Sequence, residues 1–555
     1  VNKKVCSFPI LFALLALLIG TCAVVFPASA QAAPTSIGSI TVSGTVASSY
    51  DAYQIFDANV VDGDSDAKIA TDLAWASDAV RDAALPVLHS AGMPNSQATA
   101  QEAAEWLTTD SHLTSALSAQ LARSLQNSGA VSMALNAGGA AELSCGYWLI
   151  VADDAIAQGE AGTAPIMALV GGSAVTVKPK AATPKVQKHV LEDSTAAWQK
   201  AADATVADDL YWRLSATVPA GLTAYDTYTV RFVDTMSAGL DPSKAAASMR
   251  VYVAAGADGG FDAVSAGKDG RAGTEPAKGW TDITAQCATK VAADGKTFTV
   301  RTGDLIAALG GADAFTAGAR VVAVYNAPLT SACNHGIAKG NPNEVYLRYP
   351  RSPFADQSGD AGFTRTPSDD ACAYTWDLAL TKRGSDGDKP LAGAVLSIAD
   401  DRGRTLAADG TWGAEGKATG TTGEDGRVTV SGVDSGKLEV RELKAPKGYT
   451  AFEGTRSVTV KAEGLDVDQV AAAKPKLTIT AESPLRADSA DGSTGSLEAS
   501  LINTPTGTPP SITTGGFMPS TGDMAMYAAA AAAVAGAALI VVALLVKRGG
   551  GSHKE

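Results

Sequence analysis

Residues 181 to 507 run in short stretches of alternating apolar and polar side chains, separated by Gly, Asp and Pro, with no long stretch of helical period. Alternation of period two sends successive side chains to opposite faces of a strand. Such stretches bury their apolar faces by pairing into sheets that pack against one another. The chain is therefore predicted to be mainly β and built of tandem antiparallel sandwiches.

Composition places the joints. One sandwich is expected over 181–365 and another over 372–507. Ahead of them, 31–180 opens with strand-like Ile37 to Tyr53, turns Ala-rich from Ala67 to Leu135, and closes on the apolar run Gly146 to Val151. The Ala-rich part reads as helices inserted in a sheet. Thr504 to Gly516 is rich in Thr, Pro and Gly, and 508–517 reads as a spacer. With both ends set aside, roughly 490 residues suggest about three domains.

The ends carry export and anchoring signals. Lys3 and Lys4, the apolar Leu11 to Val25 and the small residues Ala28-Ser29-Ala30 form the three parts of a signal peptide over 1–30. Cleavage is expected after Ala30, with Ala32 and Ala33 as alternatives. Cys22 also invites a lipoprotein reading, against which Thr21 stands where a small Gly or Ala is wanted. Met524 to Val546 carries no charge and exceeds the ~20 residues a bilayer-crossing helix needs. Lys547 and Arg548 follow, so the tail 547–555 is expected inside and everything before Met524 outside. A net charge of -14 argues against a nucleic-acid partner, which would want a basic face. Cys6 and Cys22 leave with the signal. Of the remaining Cys145, Cys287, Cys333 and Cys372, the favoured disulfide is Cys287 with Cys333.

Certain charged residues fall on the inward side of the alternation. Near the start of the last sandwich Tyr374, Trp376, Leu378, Leu380 and Lys382 share a face. In its middle Leu438, Val440 and Glu442 do so, and near its end Leu497, Ala499, Leu501 and Asn503. The preceding sandwich repeats the pattern with Val186, Lys188 and Val190, then Tyr228, Val230, Phe232 and Asp234, then Asn343, Val345, Leu347 and Tyr349. Asn341 has the same parity as Asn343 and competes with it. A lone inward lysine at a strand end is often a snorkelling side chain. An amine, an acid and a carboxamide buried together are a reactive set, since burial favours the neutral amine and the protonated acid.

Several motifs resemble those of Gram-positive pilins assembled by sortases. Met518-Pro519-Ser520-Thr521-Gly522, just before the apolar run, resembles the Leu-Pro-X-Thr-Gly sorting signal, with Met518 in place of Leu. Leu438 to Tyr449 resembles the E-box of collagen-adhesin B-type domains, matching at Glu442, Ala445, Pro446, Gly448 and Tyr449 and departing at Leu438, Val440 and Leu443. Asp234-Thr235 followed by Gly239-Leu240 is similar to the A-type partner domain. Val175 to Lys180 resembles the pilin motif Trp-X-X-X-Val-X-Val-Tyr-Pro-Lys, with Gly171 for Trp and Lys178 for Tyr.

The resemblance implies immunoglobulin-like sandwiches carrying isopeptide bonds from Lys188 to Asn343 and from Lys382 to Asn503, promoted by the acids Asp234 and Glu442. It implies cleavage between Thr521 and Gly522 by a pilin-class sortase, and Lys180 as the amine that joins the next copy, with Lys178 as the alternative. Minor pilins, a housekeeping sortase, peptidoglycan and a host surface ligand are the further partners it implies. The expected place is the cell wall, with the precursor held in the membrane by 524–546. No cofactor or metal is expected.

Two other readings share some of these features. A wall-anchored adhesin, or a minor pilin at tip or base, has the same anchor but does not need Lys180. An anchored enzyme would show chemistry that the sequence lacks: the histidines at 89, 112, 189, 335 and 553 form no ligand motif, and there is no Gly-X-Ser-X-Gly elbow or phosphate-binding glycine loop. Asp62, Asp64 and Asp66 recur like a calcium loop, yet Ala67 and Leu73 stand where Gly and Glu are required, so a solvated acidic turn is the better account.

Overall fold

The computed structural model describes residues 36–507 apart from 45–46, 48, 65–66, 110–111, 154–159, 161, 180–182, 220–221, 257–278, 354, 356, 401–402, 408–410 and 414–417. The signal 1–30, the sorting motif Met518 to Gly522, the apolar run 524–546 and Lys180 lie outside the described residues. Among the described residues no helix is long and apolar enough to cross a membrane.

The first domain is layered around strand Gly146–Ala152, whose seven residues are all buried. Tyr147, Leu149 and Val151 face a cluster containing Leu85, Leu88, Leu121 and Leu125 from the helices. Trp148, Ile150 and Ala152 face Ile40 and Val42, from the small sheet on the other side. The helices are Asp78–Ser90, Ala100–Thr108 and Ser115–Ser128. Ser77, Thr99 and Thr114 cap their first turns, and Gly129 ends the third at a φ of 75°. The Ala-rich segment is not helical throughout: Lys68–Trp75 and Ser132–Asn136 are strands paired with Ser49–Asp62. Alanine content marked the helices but not where strands flank them.

The second domain is a sandwich. One sheet runs in the order Ala197–Gln199, Val186–Glu192, Tyr211–Thr217, Arg320–Asn326, Arg250–Ala254, Trp280–Asp282. The facing sheet runs Ala201–Asp203, Asp369–Tyr374, Asn341–Pro350, Arg231–Met236, Thr297–Arg301, Ala288–Val291, with Phe363–Arg365 on Asn341–Pro350. Trp212, Leu214, Phe232, Val321, Ala323, Val345 and Leu347 fill the space between them.

Asp369–Tyr374 completes this sheet, and after Thr375 the strand Trp376–Gly384 opens the third domain. The inward series Tyr374 to Lys382 is thus two strands in two domains, because alternation continues across the joint. In the third domain Trp376–Gly384 lies between Arg427–Val433 and the last strand, Ser496–Pro505, which it pairs in parallel. Parallel pairing of the first and last strands departs from the all-antiparallel expectation. The facing sheet is centred on Val395–Ala399, Gly436–Lys444 and Thr455–Glu463. The fold is mainly β, in tandem domains with helices inserted in the first.

The Cys287–Cys333 disulfide is not formed; Cys145, Cys287, Cys333 and Cys372 are all free thiols. The two sulfurs are turned to separate partners, Cys287 to the Ile283 carbonyl and Cys333 to His335.

Candidate functional site

Two buried clusters bring together the inward-facing polar residues. In the second domain Lys188 comes from one sheet, while Asp234 and Asn343 come from adjacent strands of the other, where Met236 pairs Asn343 and Asp234 pairs Val345. All three are fully buried. Lys188 Nζ contacts Asp234 Oδ2 and donates to the Tyr325 hydroxyl at 2.8 Å. The hydroxyl donates to Asp234 Oδ2 at 2.9 Å and accepts from Asn343 Nδ2 at 2.9 Å. The Lys188 ammonium also lies 5.5 Å from the ring centres of Trp212 and Tyr325.

Burial pushes the Lys188 amine down to about 8, against the attraction of Asp234. The same burial pushes the Asp234 carboxyl up, against the pull of Lys188. Both shifts favour the uncharged pair. Asn343 Oδ1 and Asp234 Oδ1 have no hydrogen-bond partner among the described residues.

Asn341 is buried too but is engaged elsewhere. Its Nδ2 donates to the Asn334 and Ala373 carbonyls at 2.9 and 3.2 Å, and its Oδ1 accepts from Asn334 N at 2.8 Å. Asn343 is the one that meets Tyr325. Tyr325 itself was missed in the sequence. Its signal was present, because Val321, Ala323 and Tyr325 alternate inward and end on a hydroxyl.

In the third domain the amine and the amide share a sheet. Lys382 pairs Leu501 and Gly384 pairs Asn503 in the parallel register, and Glu442 reaches them from the facing sheet. Lys382 Nζ is 3.8 Å from Glu442 Oε1 and donates to the Leu501 carbonyl at 3.0 Å. Asn503 Nδ2 donates to both Glu442 oxygens, at 2.9 and 3.0 Å. Burial again pushes the lysine down to about 8, opposed by Glu442.

The E-box segment sets this geometry. Gly448, at a φ of 84°, closes the turn after Pro446, and Tyr449–Thr450 then pairs Thr504 and Pro505 beside Asn503. Phe452 N, just beyond, donates to Glu442 Oε2 at 3.1 Å.

Of the segment ending at Lys180, strand Val175–Val177 pairs in parallel with Ile37–Val42 at a sheet edge. Thr176 and Lys178 are exposed and Val177 and Pro179 buried, as the alternation requires. Gly171, where the pilin motif has Trp, has no room for a side chain: a Cβ there would stand 2.6 Å from Val60 Cβ and 2.8 Å from Cys145 Sγ. In the acidic turn Asp62 accepts from Lys68 Nζ at 3.1 Å and Ser173 N at 2.9 Å.

Each buried cluster holds an amine that burial makes easier to deprotonate than an ordinary lysine, an acid and a primary carboxamide. That is the set of groups for moving an acyl group from nitrogen to nitrogen with release of ammonia.

Residues 377–474 match the family model described as SpaA, a prealbumin-like fold domain. No curated protein matches the chain. Similar solved structures include the T6 backbone pilin of serotype M6 Streptococcus pyogenes, at 17% identity over 86% of this chain and 100% of that one, with a TM-score of 0.47. The full-length major pilin SpaD of Corynebacterium diphtheriae is similar at 16% identity over 84% and 97%, with a TM-score of 0.41. The major pilin SpaA of the same organism is similar at 14% identity over 84% and 100%, with a TM-score of 0.38.

Proposed function

We propose that this chain is the repeating shaft subunit of a covalently polymerised surface pilus, stiffened by internal Lys188–Asn343 and Lys382–Asn503 isopeptide bonds. The observation that carries the reading is the pair of buried clusters, each joining the first strand of its domain to a late one through an amine, an acid and a carboxamide. The match of residues 377–474, which hold Lys382 and Glu442 of one cluster, to the SpaA prealbumin-like domain supports it.

The neutral lysine attacks the Asn Cγ while the acid, Asp234 or Glu442, supplies a proton to the carboxamide. The acid then relays protons until the old C–N bond breaks, so that one C–N bond forms, one breaks and ammonia leaves. The bond bypasses most of the domain when the chain is pulled from its ends. Strength, not turnover, is the product.

Polymerisation follows from the sequence motifs. A pilin-class sortase cleaves between Thr521 and Gly522, and the Lys180 amine of the next copy resolves the acyl-enzyme. The last copy passes to peptidoglycan through a housekeeping sortase, and minor pilins complete the fibre.

Intact-mass measurement of the folded chain tests the internal bonds. Each lowers the mass by about 17 Da, the ammonia lost in the exchange. A mass equal to that of the unmodified sequence would contradict the reading.

A further inference from the structure

The second and third domains meet at a three-residue relay that the amide chemistry does not use. Cys333 and His335 lie in the segment before strand Asn341–Pro350, and Asp377 lies on the first strand of the third domain. His335 Nδ1 is 2.6 Å from Asp377 Oδ1, and its Nε2 is 3.6 Å from Cys333 Sγ. The order of thiol, imidazole and carboxylate places a base beside a nucleophile and a third group behind the base to orient it. We propose that Cys333 is a reactive thiol, activated by His335 and Asp377, that exchanges with small disulfides at the seam between the two domains.

Asp377 accepts from Nδ1–H, which turns Nε2 to the sulfur. The Asp377 hydrogen bond, followed by the contact with Cys333, pushes the His335 imidazole up to about 10, so the ring is protonated at neutral pH. A cation beside a thiol stabilises the thiolate, the form that reacts. Two of the other thiols are placed for inertness. Cys287 and Cys372 donate to the Ile283 and Ala373 carbonyls, and burial pushes both up to about 11. Cys333 is 9% exposed, and the side chains of His335 and Asp377 around it are 24% and 30% exposed. Cys333 is thus a buried thiol of the second domain's core, and a small disulfide would reach it past the partly exposed His335 and Asp377.

In the exchange the Cys333 thiolate attacks one sulfur of R–S–S–R and a new Cys333–S–S–R bond forms. The old S–S bond breaks, and the departing RS⁻ takes the proton from His335 Nε2. The external disulfide is the oxidant, so electrons balance.

The test treats the natively folded full chain with a dithiodipyridine, follows the coloured thiopyridone released, and locates the adduct by peptide mass spectrometry. One fast phase is expected, on Cys333 and absent from Cys333→Ser. At about pH 6 it should outpace the other described thiols, because the His335 ring stands beside its sulfur. His335→Gln and Asp377→Asn should each slow the reaction about tenfold or more at pH 6, yet by no more than about twofold at pH 9, where a thiol ionises unaided. Lost packing alone would not give that pH signature. A Cys333 that reacts only after denaturation, or an identical pH profile in wild type and both variants, would overturn the proposal.

Discussion

Lys188 crosses the core of the second domain to meet Asp234, and neither side chain touches solvent. An isolated buried ion pair of this kind is weak evidence of stability, since desolvation offsets the attraction. Its worth here is chemical, because burial brings both groups toward the neutral forms that amide exchange needs. The third domain reaches the same set of groups differently, with Lys382 and Asn503 on neighbouring parallel strands and only Glu442 coming from across the core.

Glu442→Ala removes the acid from the third domain and leaves the second untouched. Intact mass should then show the loss of one ammonia instead of two. The uncrosslinked third domain should unfold at lower temperature and admit protease, since a bridge across a loop of roughly 100 residues or more contributes about 5 kcal/mol in the chain-entropy picture. Two ammonia losses in this variant would take the role away from Glu442.

Tyr325→Phe tests the residue that the sequence did not single out. The hydroxyl binds Lys188, Asp234 and Asn343 together, so its removal leaves Asn343 Nδ2 without that acceptor. An unsatisfied buried group costs about 1 to 3 kcal/mol. Time-resolved mass spectrometry of newly synthesised, not yet crosslinked chain as it first folds should show slow or absent ammonia loss in the second domain and normal loss in the third. Equal rates in variant and wild type would make Tyr325 a packing residue.

A pH dependence is expected at the seam between the second and third domains. The ordinary value for histidine is 6.5, and in the folded chain His335 is raised to about 10, chiefly by its hydrogen bond to Asp377. A raised folded value means that the folded state holds the proton more tightly. The stabilisation is therefore fully present below about 6.5 and is lost as pH rises toward about 10. Thermal unfolding of wild type and Asp377→Asn should differ most below neutrality, and the gap should close across that window. A gap independent of pH would mean that the contact does not act through charge.

Much of this geometry was legible in the alternation of side chains. Period two gives the face of each residue, and the faces carrying Lys188, Asp234, Asn343, Lys382, Glu442 and Asn503 are the buried ones. Parity does not give register or depth. It could not separate Asn341 from Asn343, which differ only in what lies across from them, nor show that Tyr325 stands among the three polar groups of the second domain. It also ran through Thr375 without a break, because two strands in different sheets happen to keep phase. The proximity of Cys333, His335 and Asp377 depends on how two domains meet, and no local pattern encodes that.

The central claim, a covalent polymer, is tested most directly by the electrophoretic pattern of wall extracts from cells expressing wild type and Lys180→Arg. Arginine keeps the charge but stays protonated and supplies no usable nucleophile. Wild type should give a ladder of high-mass species that resists boiling in detergent, with a crosslinked peptide joining Thr521 to Lys180. Lys180→Arg should be exported, keep both internal ammonia losses and run as a monomer. A normal ladder from Lys180→Arg would contradict the assignment of that lysine, one lost only in Lys178→Arg would transfer it there, and no ladder from wild type would contradict the shaft subunit itself.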